Sequence, residues 1–360
     1  MFKRVLQALF PSLKGQPLKT SPKSVNNVEN ISQQKHSETS QPPAPQHTLR
    51  ADKPLSPHDA DFLNYLFGES RLNTESDPFS DFVAARIEKL LLSPKALLTE
   101  LPVMPASITT LMSELKSDEF NVEALLKVID KEPSMAADMI KLANSARYRR
   151  SEKEVTDLKT AFMNMGSQGL IEGVINAYLK EFSPTVNIYW RQFGEKIWDH
   201  SLRTACYSRE LLKDSASSED ESTAYFVGLI RNLGKMIIFQ VMVEAFRHVD
   251  PNVPPNSTAF KRLINSYAIK LTYTLAKFWE LPESVLLAIA YQESQKFAAT
   301  PLAITVLEAN YLSELQSLLQ SGIIDLETFE KRSEQRITQP RALAIVETIK
   351  AEAADFNVAS

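Results

Sequence analysis

Beyond residue 56, apolar side chains recur at spacings of three and four, the repeat that lays one stripe along a helix. Phe62, Leu63, Leu66 and Phe67 form a first stripe, and Phe79, Phe82, Val83, Leu90 and Leu91 a second. Ile108, Leu111, Met112 and Leu115 share another face, and periodic runs follow through Val122 to Ile129 and Met135 to Leu142. Leu302 to Leu319 and Ile323 to Ile349 extend the pattern, with breaks at Gly322 and Pro340. Local signals frame these runs. Ser56-Pro57-His58-Asp59 offers a capping hydroxyl, a proline at the first helical position and an acid in the first turn, and Ser76-Asp77-Pro78 repeats that start. Pro133 opens a further helix that Asn144-Ser145-Ala146 closes, and the chain is expected to fray past Ala351.

The first 56 residues lack this order. Between Pro11 and Asp61 there is no aromatic residue, and eight of the chain's twenty prolines fall there among Ser, Gln, Asn and Lys. Such a segment buries too little apolar area to offset its chain entropy, so residues 1–56 read as a disordered tether. Within it, Phe2, Val5, Leu6, Leu9 and Phe10 trace an amphipathic stripe over residues 2–10, stopped by Pro11. That stripe reads as a weak membrane-surface or partner-docking helix, or as a frayed terminus. His58-Asp59, the one His-Asp dipeptide in the chain, lies at a helix start beside the tether and reads as a chance occurrence.

Composition narrows the class. Glycine, at 9 of 360 residues, is far below the usual share of about 7%, which favours long helices over turn-rich sheets. Residues 1–56 carry net charge +5, leaving −9 on the rest, so the body lacks the basic balance of a nucleic-acid binder. Cys206 is the single cysteine, which excludes an internal disulfide and a cysteine-based zinc site and fits a reducing cytoplasm. No uninterrupted run of about 18 apolar residues predicts a membrane span, and no signal peptide is expected.

The block Gly228-Leu229-Ile230-Arg231-Asn232-Leu233-Gly234-Lys235 carries the chemistry. It resembles the G-L-L-H-D-(I/L)-G-K element of the HD phosphohydrolase superfamily, in which adjacent His and Asp bind a divalent metal. Arg231 and Asn232 stand at those ligand positions here. A guanidinium has no lone pair to offer a metal, so no metal is expected. Gly234 reads as a helix stop, and Lys235 as a helix-end cation.

Further landmarks extend the likeness. Leu101–Pro105, Lys131-Glu132-Pro133-Ser134-Met135-Ala136-Ala137, Lys141 to Tyr148, Ala161 to Gly166, Trp198-Asp199-His200-Ser201 and Phe278 to Glu283 together resemble the HDOD family, bacterial relatives of HD phosphohydrolases that generally lack the full metal site. The resemblance implies an all-α, HD-superfamily-like multi-helical domain over 97–295, with docking helices over 57–96 and C-terminal helices over 296–360 packing on it. It places His200 at the first metal-binding histidine, Ala268 at a further histidine, Gln292-Glu293 at a His-His pair and Asn310 at the closing aspartate. His200 then reads as a satisfied core histidine, and Arg231 as a charged link to an acid or an anion contact. Arg149-Arg150 reads as solvated charge at a helix end, or as a ligand or partner contact together with Lys235. Trp190, Trp198 and Trp279 are expected to pack the core.

The expected function is a non-catalytic signalling or regulatory scaffold of the cytoplasm, at most peripheral to the membrane. It would bind a protein partner or sense a small ligand, with no cofactor and no nucleic acid. The alternative is a metal-dependent phosphohydrolase or cyclic-nucleotide phosphodiesterase with an unconventional site around His200; binding of a nucleotide without hydrolysis is a third reading.

Overall fold

The computed structural model describes residues 54–69, 78–92, 110, 121–131, 133–150, 152–180, 188–213, 221–249 and 257–359. The expected helix over 2–10, the tether up to residue 53, the Leu101–Pro105 element, the Ile108–Leu115 stripe and the side chain of Trp190 lie outside the described residues.

Among the described residues there are thirteen helices and no strand. They are α1 (Pro57–Phe67), α2 (Pro78–Leu92), α3 (Val122–Ile129), α4 (Pro133–Ala143), α5 (Leu158–Lys180), α6 (Ile188–Leu212), α7 (Glu221–Ile230), α8 (Leu233–Val249), α9 (Thr258–Phe278), α10 (Glu283–Glu293), α11 (Pro301–Gln320), α12 (Leu326–Arg336) and α13 (Pro340–Ala359). The start signals act as their chemistry requires. Ser56 caps α1, its hydroxyl accepting the Asp59 backbone N–H at 3.1 Å, with Pro57 at the first helical position. Thr300 and Asp325 cap α11 and α12 in the same way. The last helix runs to Ala359.

Helix α6 runs between α7 and α11, while α8, α9 and α10 close the other side and α4 and α5 pack together. The stretch Glu221–Ala245, spanning α7 and α8, is long and apolar enough to cross a membrane, but 94% of its most apolar 18-residue window is buried inside the domain. Its apolar side chains are therefore accounted for as core: Val227, Leu229, Ile237, Ile238, Phe239 and Met242 are fully buried. Trp198 and Trp279 are half-buried against this core. Helix α1 joins it through Phe62, Leu63, Leu66 and Phe67, the last lying 5.5 Å from the Phe239 ring.

The Gly228–Lys235 block folds differently from its sequence reading. Helix α7 ends at Ile230, Arg231 and Asn232 form a turn, and α8 begins at Leu233. Gly234 is thus not a helix stop, and Lys235 is not a helix-end cation; both lie in the first turn of α8. Gly234 is required by close approach, because a β-carbon there would overlap the carbonyl oxygen of Ala268 on α9. Its backbone N–H donates to the Thr272 hydroxyl at 2.9 Å, tying the two helices together. Ala268, where the resemblance puts a histidine, leaves room for that approach.

Gly234→Ala is expected to destabilise the protein by about 2–3 kcal/mol through overpacking. Gly322→Ala, at a residue with φ +70 and open space around it, should cost only about 1 kcal/mol of backbone strain. Urea unfolding of both variants measures the difference; equal losses would sink the close-packing account.

Candidate functional site

Polar side chains from α1, α6, α8, α10 and α11 and from the α7–α8 turn meet in one buried neighbourhood. His200 sits mid-helix on α6, 1% exposed, facing α11. Its Nε2 lies 3.1 Å from Asn310 Oδ1 and its Nδ1 2.9 Å from Ser313 Oγ. The Asn310 amide nitrogen donates to Glu314 Oε1 at 2.9 Å, so its oxygen must accept from His200. The imidazole therefore carries its proton on Nε2, and the single hydrogen of the Ser313 hydroxyl is shared between Nδ1 and the His200 backbone carbonyl, which lies 3.3 Å away. Burial, reinforced by the Lys235 ammonium and opposed by Glu314, holds the His200 pKa well below its ordinary value.

Glu314 is the centre of the cluster. It falls one helical turn after Asn310 on α11, and its carboxylate is 8% exposed at the residue level. His58 Nε2 donates to its Oε2 at 2.9 Å, and Lys235 Nζ lies 3.7 Å from its Oε1. Burial pushes the carboxyl up, but the His58 hydrogen bond and the Lys235 charge outweigh it and hold Glu314 well below the usual carboxylate range. Burial lowers Lys235 to about 8 against the pull of Glu314. The ammonium also lies over the Phe62 ring, 5.0 Å from its centroid.

Arg231, 8% exposed, donates from Nε to Gln292 Oε1 at 3.1 Å and from a terminal nitrogen to Asn232 Oδ1 at 3.2 Å. These hydrogen bonds go to amides and not to the acid that the sequence reading expected; Glu314 and Asp59 act on it only as nearby charges. Burial lowers the guanidinium to about 10. Gln292 in turn donates to the carbonyls of Ala288 and Ala303, which fixes its oxygen toward Arg231.

The structure therefore brings His200, Arg231, Asn232, Lys235, Gln292 and Asn310 into one neighbourhood. Arg149 and Arg150 stand elsewhere, exposed in the turn after α4, where Arg149 donates to the Glu152 carbonyl at 2.7 Å. Their neighbour Arg147 instead reaches the buried Glu172 at 3.2 Å. Glu293 faces Lys270 near the surface at 3.5 Å.

Sequence reasoning missed three members of the site. His58 is 6% exposed and lies against the Tyr311 ring at 4.4 Å, so the His-Asp dipeptide at the α1 start is no chance bystander. Phe62 meets His200 edge-on at 4.7 Å, and Glu314 supplies the carboxylate. The only trace of Glu314 in the sequence was an acid one helical turn after Asn310, on a helix that also carries Glu308. For His58 there was only its place ahead of the α1 stripe.

A divalent metal does not fit this donor set. Among the described residues no group of three or more His, Cys, Asp or Glu side chains is placed to hold an ion. Both nitrogens of His200 face hydrogen-bonding partners, and two cationic side chains, Arg231 and Lys235, lie where a dication would add like charge.

Comparison with known proteins follows this geometry. The sequence model of the HDOD domain matches residues 101–295. An HDOD domain protein of unknown function from Geobacter sulfurreducens is 17% identical, covering 74% of this chain and 98% of its own, with a TM-score of 0.49. A provisionally assigned metal-dependent phosphohydrolase from Shewanella amazonensis SB2B is 16% identical over 74% of this chain and 99% of its own, also at 0.49. No curated protein matches in sequence.

Two variants test the cluster. Glu314→Gln, which leaves two buried cations uncompensated, is expected to cost about 3–5 kcal/mol, and Glu314→Gln with Lys235→Gln should recover part of that loss. For pH, the sign follows from His200 being held neutral when folded. The unfolded chain takes its proton below about pH 6.5, so acidification costs stability there at up to about 1.4 kcal/mol per pH unit. Urea unfolding between about pH 7.5 and 5 should show a slope that His200→Asn reduces by one proton; an unchanged slope would show that His200 does not titrate this way.

Proposed function

The chain belongs to the HDOD domain family, and from that premise we propose that it is a non-catalytic regulatory protein, in which the former metal site serves as a structural charge cluster and the helices around it pass a binding state to a protein partner. One observation carries the reading. Two buried cations, Arg231 and Lys235, stand around a carboxylate that is already engaged by His58 and Asn310. Phosphoester hydrolysis of the HD kind needs a metal to generate a nucleophile and absorb charge. The donor set described above supports neither task. The one hydroxyl within reach of His200 is that of Ser313, and both are buried, at 1% and 0% exposed, so the pair offers a substrate no access for metal-independent hydrolysis. The cluster instead links α1, α6, α8 and α11 through charge and hydrogen bonds, which couples the packing of one helix to that of the others.

The test is direct. After loading with Mn, Fe, Zn or Ni and dialysis, elemental analysis of the full-length protein is expected to find under about 0.1 metal per chain, because affinity requires a deprotonated ligand set. Parallel assays with bis(p-nitrophenyl) phosphate and cyclic dinucleotides should show no turnover. Stoichiometric metal with metal-dependent hydrolysis would overturn the reading, whereas reproducible retention of one signalling protein by the tagged chain in its native cell would extend it.

A further inference from the structure

Away from the cluster around Glu314, side chains from the turn between α4 and α5 and from α5, α6 and α7 line a second polar cleft, of about 230 Å³. At its base is Glu172 of α5, 2% exposed. Three groups hold that carboxylate: Arg147 at 3.2 Å, Arg209 of α6, and the Tyr148 hydroxyl, which donates at 3.0 Å. Gly169 makes the Tyr148 seat possible, since a β-carbon there would come 3.0 Å from the tyrosine ring. Lys213, just past α6, and Glu221, the first residue of α7, complete the lining.

Cations outnumber acids here, although the body of the chain is acidic. The cleft sets Arg147, Arg209 and Lys213 against Glu172 and Glu221. The turn that carries Arg147 adds the exposed Arg149, Arg150 and Lys153 against Glu152. Burial, with the neighbouring Arg147 charge, lowers the Arg209 pKa, as expected of two guanidiniums crowded on one acid. The side chain of Arg209 is 15% exposed, whereas those of Arg147 and Lys213 are 46% and 38% exposed. Arg147 gives one terminal nitrogen to Glu172, and the other has the Cys206 thiol, a weak acceptor, 4.0 Å away. Lys213 shares Glu210 with Arg341, at 2.7 and 3.1 Å. The inner cation is thus matched by a buried acid, and the two outer ones keep exposed donors.

We propose that this cleft is a docking site for an acidic segment of a protein partner, one Asp or Glu carboxylate entering between Arg147 and Lys213 and neighbouring acids lying along Arg149 and Arg150. Its volume is below the roughly 300–1,000 Å³ of small-molecule pockets, which suits a single side-chain head better than a nucleotide. Glu172, Glu210 and Glu221 beside it repel a continuous phosphate backbone, while one carboxylate can take the guanidinium edge that Glu172 leaves open. Glu172 ties the turn after α4 to α5 and α6, so a docked segment is felt by all three elements. The proposal rests on the regulatory reading for the existence of a partner, and gives that partner its chemistry.

Fluorescence anisotropy on the full-length protein tests it, with a labelled peptide of alternating Glu and Ala, its Gln-Ala counterpart and an oligothymidine of the same length as probes. At about 50 mM salt the acidic peptide is expected to bind about tenfold more tightly than the neutral one. Arg147→Gln with Lys213→Gln should weaken it about tenfold, because each removes a charge-assisted donor. Arg149→Gln with Arg150→Gln should weaken it about threefold. Lys277→Gln with Lys296→Gln, at exposed lysines outside the cleft, changes the net charge as much and should leave the affinity within about twofold. If Arg147→Gln lowers the urea midpoint, Lys213→Gln combined with Arg149→Gln and Arg150→Gln carries the test at surface positions. Equal binding of the two peptides, or equal losses in the cleft variants and the lysine control, would overturn the proposal. Tighter binding of the oligothymidine, abolished by the same cleft substitutions, would overturn it in favour of nucleic acid. Metal-dependent turnover would overturn the regulatory reading and leave the peptide affinities as they are, so the two fail separately.

Discussion

Two cations buried beside one carboxylate set the terms for the structure around them. Moving an ion from water into a protein interior costs several kcal/mol even after relaxation, and only close compensation keeps it charged there. Arg231 and Lys235 are each less than a tenth exposed, and Glu314 is the buried acid they share. Each of the surrounding choices serves that balance. Asn310 and His58 hold the Glu314 carboxylate in place, Gln292 satisfies Arg231, and Phe62 gives Lys235 the face of an aromatic ring in place of water. Without α1, the cluster would lose the His58 hydrogen bond to Glu314 and the Phe62 ring over Lys235.

The cluster also joins helices that are distant in sequence. His200, Lys235 and Glu314 come from α6, α8 and α11, and His58 from a helix more than 250 residues away from Glu314 in the chain. A metal makes such a link with a few short bonds to one atom. Here the link is a set of longer, weaker contacts, each of which depends on the packing behind it. The near-contact of Gly234 with the Ala268 backbone shows that packing at its tightest, because it sets how deeply α8 presents Lys235 to the site.

The scaffold was largely legible in the chain because helical periodicity and caps act locally. Ser56-Pro57, Pro133, Pro301 and Pro340 each open a helix, and the long apolar runs form α8, α9 and α11. The site was legible only where it coincides with a motif. His200, Arg231, Asn232 and Asn310 could be located by their places in a known pattern. Glu314 and His58 could not, since neither belongs to that pattern and each acquires its role from a partner elsewhere in the chain. Lys235 was located but misread: a lysine after a glycine suggests the solvated end of a helix, whereas the turn at Arg231-Asn232 starts a new helix and sends the lysine inward.

By itself, the sequence determined an all-α chain and its family, because these depend on residue type, on spacing and on order along the chain. Only the tertiary structure decided which groups meet around Arg231 and Asn232. The balance of buried charge is a property of groups brought within a few ångströms of one another, and whether Asp59, Lys235 and Glu314 compensate or repel depends on how α1, α8 and α11 meet in space, which no local pattern encodes.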